Sequence, residues 1–230
     1  MPAFFSTGWT ICSTVASPSL ENHHSGPLTD KVETQQEEAL KKDYAEIFQN
    51  AAPYLNTRRN DVHIQISYEF ALRLLSFYPE ADEHIVLPAI ILHDVGWKII
   101  PEDEHLISFG PNMKDKNNQR RHEVEGAKIA DEILSSLGFD RELIEGISDI
   151  IDGHDSRLIA INLNDQIVKD ADKLWRFTPI GFEIDRERFG VEKNDHFNFL
   201  NHIIDQWMFT PEAREMARKE LGEVKKQSGI

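Results

Sequence analysis

One cysteine, Cys12, occurs in 230 residues, so no intramolecular disulfide can form and a thiolate-ligated zinc site is implausible. A reducing, cytoplasmic setting is the expectation that follows. Apolar runs never approach the roughly 20 residues needed to span a bilayer. The longest, Ile85 to Leu92, is broken by Pro88 and suits a buried helix, so no membrane partner is expected. The opening MPAFFSTGWTICSTVAS lacks the positive start of a secretory signal. Positive charge is scarce throughout: 25 Lys and Arg stand against 40 Asp and Glu, a formal net charge of -15. That balance argues against a nucleic-acid polymer as partner, because backbone affinity rests on clustered cations. A small phosphorylated substrate stays compatible, since bound metal can supply positive charge locally inside an acidic protein. No phosphate-cradling Gly-rich loop and no Ser-His-Asp arrangement stands out.

What is present reads as helix. A mean hydropathy of -0.45 is ordinary for a globular chain, and the length fits one domain with some excess. Residues 1–30, rich in Ser, Thr, Pro and Gly and without periodicity, are expected to be a flexible leader, and residues 31–230 a single helical domain. A first amphipathic helix is expected from Thr29 and Asp30 through the stripe Leu40, Tyr44 and Phe48, at the periphery of the domain. A second, roughly Val62 to Phe77, places His63, Phe70 and Leu74 on one face. A third, apolar nearly all round, runs to about Val95 with Gly96 in a capping position. Pro101 to Gln119 reads as a polar loop long enough to recognise substrate. Helices resume at His122, again over DRELIEGISDIIDG, and again from Asn164 to Phe177 with Val168, Asp172 and Trp175 along one side. PIGFEIDRERFG reads as an irregular connector. Two C-terminal helices are expected within 195–228, Asp195 to Trp207 and Pro211 to about Lys226.

Six metal-ligating residue types lie on or at the ends of these apolar faces: His63, His93, Asp94, His122, His154 and Asp172, spaced 30, 1, 28, 32 and 18 residues apart. A lone histidine on an apolar face is more often a satisfied core residue than a ligand. Five elements each delivering one such group is a different matter. Burying them singly costs several kcal/mol each unless they pair or bind metal, and one shared metal centre accounts for all six.

The stretches VHIQISYEFALRLL, IILHDVGWK, RRHEVEGAKIADEIL, IIDGHDSR and IVKDADKLWRF, spanning about residues 60–177, together resemble the HD-domain superfamily of metal-dependent phosphohydrolases. The resemblance implies an all-α helical bundle with the metal site between core helices. It makes His63, His93, Asp94 and Asp172 the basic metal quartet, and His122 and His154 the additional histidines of dinuclear members. It also implies a divalent cofactor, two ions chosen from Fe, Mn, Ni, Zn or Mg, with Asp94 bridging them. The expected activity is hydrolysis of a nucleotide or other small phosphate ester by metal-activated hydroxide. Asp170 competes with Asp172 for the last ligand position, and Asp172 fits the Ala-Asp-Lys-Leu pattern of the family. Lys98, four residues past Asp94, is expected to face substrate phosphate, although many relatives place that lysine one residue earlier. Arg121 and Lys173, beside ligand positions, are expected to bind substrate, with Arg120 a further candidate. Glu123 is open to a general-acid role, and His105 could touch substrate from the polar loop. Mixed-valent diiron oxygenases carry a similar ligand set, so oxidative cleavage is the alternative, followed by a non-catalytic regulatory module.

Overall fold

A computed structural model describes residues 44–229, apart from 109, 111–113 and 115. The expected leader at 1–30, Cys12 and the beginning of the first helix lie outside the described residues. Within them the chain is helices and turns with no strand. Helix α1 occupies 44–55, followed by α2 (Asn60–Leu75), α3 (Glu83–Leu92), short helical turns at Val95–Ile99 and Glu102–Glu104, and α4 (His105–Ser108). Then come α5 (Lys116–Ser136), α6 (Arg141–Ile151), α7 (Leu163–Leu174), a turn at Trp175–Phe177, α8 (Pro179–Phe189), α9 (Lys193–Trp207) and α10 (Pro211–Ser228).

Helix α3 is the hub. Every residue from Val86 to Leu92 is buried, as its apolar sequence requires, and the helix packs against α2, α6 and α7. Around it α5 packs on α6 and on the 95–99 turn, while α10 packs on α7, α8 and α9. One hydrophobic core runs through all of these, from Tyr44 to Val224. Helix α1 contributes Tyr44, Ile47, Ala51 and Leu55 to that core, so it is an integral layer rather than a peripheral one.

Four local expectations are corrected. PIGFEIDRERFG is not a connector but α8, because Thr178 caps it, its Oγ1 accepting from Gly181 N at 3.1 Å, with Pro179 in the first turn and Gly190 closing it at φ 62°. The polar loop is shorter than 101–119, since α5 begins at Lys116 and 102–108 is helical. Helix α3 ends at Leu92, leaving His93 and Asp94 as a turn between helices. Gly96 does not cap α3 through a left-handed backbone. Its role is space: a Cβ there would meet the His122 carbonyl oxygen at 1.9 Å and Gly126 N at 2.6 Å.

Candidate metal centre

The close approach at Gly96 is what brings Asp94 and the middle of α5 together. Asp94 leaves the end of α3, His122 enters from α5, His63 from α2, His154 from the turn after α6, and Asp172 from α7. All are buried; His93 and His122 have no exposed surface at all. The Asp94 carboxylate faces four imidazoles. Its Oδ2 lies 3.4 Å from His63 Nδ1, and its Oδ1 lies 3.7 Å from His93 Nε2, 4.0 Å from His122 Nε2 and 3.6 Å from His154 Nε2. Asp172 Oδ1 is 3.0 Å from His63 Nε2 and 3.4 Å from His93 Nε2. Three donor groups result, each within the span of one ion: His63, His93 and Asp172; His93, Asp94 and His154; and His122, His154 and Asp155.

The donor chemistry fits a divalent ion. His93 Nδ1 donates to the Ile90 carbonyl and His154 Nδ1 to the Ile151 carbonyl, each at 2.9 Å. Those bonds fix Nδ1 as the donor and leave Nε2 as the atom that faces the carboxylates and would ligate a metal once deprotonated, the arrangement that metal-ligating histidines adopt. His93 Nε2 is buried without any hydrogen bond, an orphan an ion would satisfy. His122 Nε2 and His154 Nε2 stand only 3.3 Å apart, and burial together with the His154 charge pushes the His122 pKa down to about 4. Burial also disfavours the charged form of His154, but the facing Asp94 carboxylate, 3.6 Å away, and the charge of Asp155 override it and raise its pKa to about 9. His63 is raised in the same way, burial being overcome by Asp172 and Asp94. Asp94 and Asp172 are held well below the usual carboxylate range by their histidine neighbours, against the effect of burial. An acidic, electron-rich cluster of this kind in a buried junction is a cation site by charge and by donor type.

The supporting residues explain how the chain holds these groups. Lys169, itself buried, donates to the carbonyls of Gly153 and His154 at 2.7 and 2.6 Å and so pins the His154 turn to α7. Glu123 accepts from the backbone N–H groups of Asp155 and Ser156 at 2.9 and 2.7 Å, from Ser156 Oγ at 2.6 Å and from Arg120 at 3.0 Å. It locks the turn that presents His154 and Asp155. Arg120 also pairs with Asp152 at 2.5 Å, which keeps it at that turn. Trp97 stacks on His122 at 4.1 Å and Trp175 on His63 at 4.7 Å, so two ligand imidazoles are gripped by indole faces.

Beside this centre opens a cavity of about 670 Å³, lined among others by His63, Asp94, His154, Asp155, Asp172 and Lys173. Lys173 therefore stands on its wall. Lys98 does not: its Nζ donates to Asn56 Oδ1 at 2.9 Å on an exposed face. Arg121 is exposed and is also absent from the lining. The Asp170 carboxylate turns away from the histidines and accepts from Phe209 N, Thr210 N and Thr210 Oγ1 at 2.7 to 2.9 Å, tying α7 to the start of α10. His105 is buried, its Nε2 3.0 Å from the Ile100 carbonyl, and lines a different hollow. Asp155 escaped the sequence reading although the signal was present: His154-Asp155 is a second His-Asp dipeptide. Arg58, Arg176 and Arg188, which also line the cavity, escaped it because nothing in their local sequence separates them from ordinary surface charges.

The fold and the centre define an all-helical protein with a histidine and aspartate cluster at the junction of five chain segments. Residues 62–176, half of the chain, match the HD domain, and the chain belongs to the HD-domain family. The crystal structure of a predicted HD superfamily hydrolase from an uncultured Thermotogales bacterium is similar in fold, with a TM-score of 0.53 at 20% identity over 80% of this chain and 88% of that one. No curated protein matches the sequence. No helix among the described residues is long and apolar enough to cross a membrane.

Proposed function

We propose that the protein is a metal-dependent phosphohydrolase acting on a nucleotide or other small phosphate ester. The observation that carries this reading is the convergence of four buried histidines on Asp94 and Asp172 at the floor of a cavity whose wall is cationic. His63, His93, Asp94 and Asp172 would hold one divalent ion, and His122 and His154, joined by Asp155, a second, with Asp94 between them. Bound there, divalent metal supplies Lewis acidity, activating water for attack and neutralising charge on the phosphoryl oxygens. The chain's own contribution is orientation. The carbonyls of Ile90 and Ile151 set the imidazole tautomers, the two indoles fix ring planes, and Lys173, its Nζ donating to the Lys169 carbonyl at 3.2 Å, offers a cation to the ester from the wall.

The test is metal analysis of freshly purified protein combined with hydrolysis of p-nitrophenyl phosphate, bis-p-nitrophenyl phosphate and nucleoside phosphates. Metal near one or two ions per chain with metal-dependent phosphate release is expected, and Asp94→Ala should lose both. Iron-loaded protein that consumes dioxygen and hydrolyses none of these esters would replace the reading with oxidative cleavage. Protein that purifies and stays free of metal would make it a regulatory module.

A further inference from the structure

Four guanidinium groups line the same cavity as the carboxylates of the metal centre, in a chain whose net charge is -15; Arg157 is held by Asp165 and the carbonyls of Asp149 and Asp152, and the other three, Arg58, Arg176 and Arg188, gather together. Arg58 precedes α2 and carries its backbone at φ 55°, next to Arg59 at φ 60°. Left-handed conformations at two successive side-chain-bearing residues are strained, and such strain persists where the surrounding structure imposes it. Its guanidinium lies 3.8 Å from the centroid of Trp97, the indole that stacks on His122. Arg176, just past α7, and Arg188, near the end of α8, share one carboxylate: Asp185 Oδ2 is 3.2 Å from Arg176 and Oδ1 2.9 Å from Arg188. Arg188 also donates to the Arg58 carbonyl at 2.5 Å, which ties the three together. The gathering is unfavourable in isolation. Burial and then repulsion from Arg188 and Arg176, opposed by the attraction of Asp94, bring the Arg58 pKa down to about 10.

Without an ion, the metal-centre carboxylates offset that charge across the cavity. Divalent ions would consume those carboxylates' charge, leaving Asp185 as the carboxylate of the lining that faces the three guanidiniums. A single ester phosphate at the ions would leave this arginine cluster, whose own carboxylate is Asp185, out of contact with the substrate. We propose that the substrate carries two anionic groups, the ester phosphate at the histidine and aspartate centre and a second phosphoryl or carboxyl group held by Arg58, Arg176 and Arg188. Guanidinium forks suit this role, because they pair bidentately with either anion. This rests on the phosphohydrolase reading for the first group only. Arg58 and Arg188 lie outside residues 62–176, so most of the clamp is added to the HD domain by flanking segments.

The experiment is calorimetric titration of Mn²⁺-loaded full-length protein with methylphosphonate and with bisphosphonates bridged by one, three or five methylene groups, alongside phosphonocarboxylates of matching length. At least one dianionic probe should bind roughly tenfold or more tighter than methylphosphonate, the increment of a charge-assisted bidentate contact. Tighter bisphosphonates identify a second phosphoryl group; tighter phosphonocarboxylates identify a carboxyl group. Arg176→Met and Arg188→Met should shrink that ratio toward one. If every two-headed probe binds wild-type protein no better than methylphosphonate, the clamp is refuted whether or not the variants fold. It is equally refuted if folded variants keep the full preference. Ester hydrolysis without the preference would overturn the clamp alone, and the preference without hydrolysis would overturn the hydrolase reading alone.

Discussion

Asp94 is the residue on which the centre turns, since its two oxygens face all four histidines, whereas His122 and His154 meet on one side of it. A division of labour follows. His122→Ala and His154→Ala are each expected to lower metal content by one ion per chain and leave an ion on His63, His93 and Asp172, with turnover cut severely. Equal metal content in wild type and both variants, measured by elemental analysis, would mean a mononuclear site. The histidines also give the metal-free protein a pH signature. His154, at about 9 when folded against roughly 6.5 in an unfolded chain, holds a proton more tightly in the native state. Its stabilisation, of order 3 kcal/mol, is fully present below about pH 6.5 and disappears as pH rises through 9, and His63 acts in the same direction. Denaturant melts of the metal-free protein should show stability falling across that window, with a shallower fall in His154→Gln. A flat profile in the wild type would mean that this proton is not held.

Between the residues and the fold stand close contacts that pattern does not announce. Gly96 lets the 95–99 turn lie against α5 at the level of His122, where any Cβ would strike the His122 carbonyl. Gly96→Ala is therefore expected to cost about 3 kcal/mol or more and to weaken metal retention, because backbone rather than a flexible side chain must yield. A melting temperature and metal content equal to wild type would show that the turn can shift freely. The ordered donors, the helices that carry them and the core around α3 were legible in the sequence, because apolar periodicity and ligand spacing are properties of single segments. α8 was misread because its charges and Gly181 mimic a loop, and only the Thr178 cap with Pro179 betrays it. Contacts between segments were not legible: the reach of Lys98 to Asn56, the turn of Asp170 toward Thr210, and the meeting of Arg58 with Arg188 depend on how separate helices dock.

At the scale of the molecule, several cations gather around one interior cavity, where Lys169 is buried and Arg176 and Arg188 are largely so, alongside the buried carboxylates Asp94, Asp172 and Asp185. The centre joins α2, the end of α3, α5, the turn after α6, and α7, so an ion there cross-links most of the core. Metal that binds the native arrangement and not the unfolded chain would, at about 100 times its dissociation constant, add roughly 2.7 kcal/mol per ion. Chelation should thus lower the melting temperature by about 5 to 10 °C per ion for a chain of this size, reversibly on adding metal back. Scanning calorimetry with and without chelator checks this, and an unchanged transition would mean that the five segments are held without the ion.

The pairing of each indole with an imidazole has an optical consequence. A protonated imidazole stacked on tryptophan deactivates its excited state more efficiently than a neutral one, and open-shell ions nearby do so more strongly still. Trp97 and Trp175 therefore sit as two built-in lamps, one against His122 and the other against His63. Mn²⁺ or Fe²⁺ at the centre should dim the emission, and closed-shell Zn²⁺ should not. Trp175→Phe should erase the part that follows the first ion and Trp97→Phe the part that follows the second, so that the filling of two neighbouring positions could be watched separately, in real time and without any label.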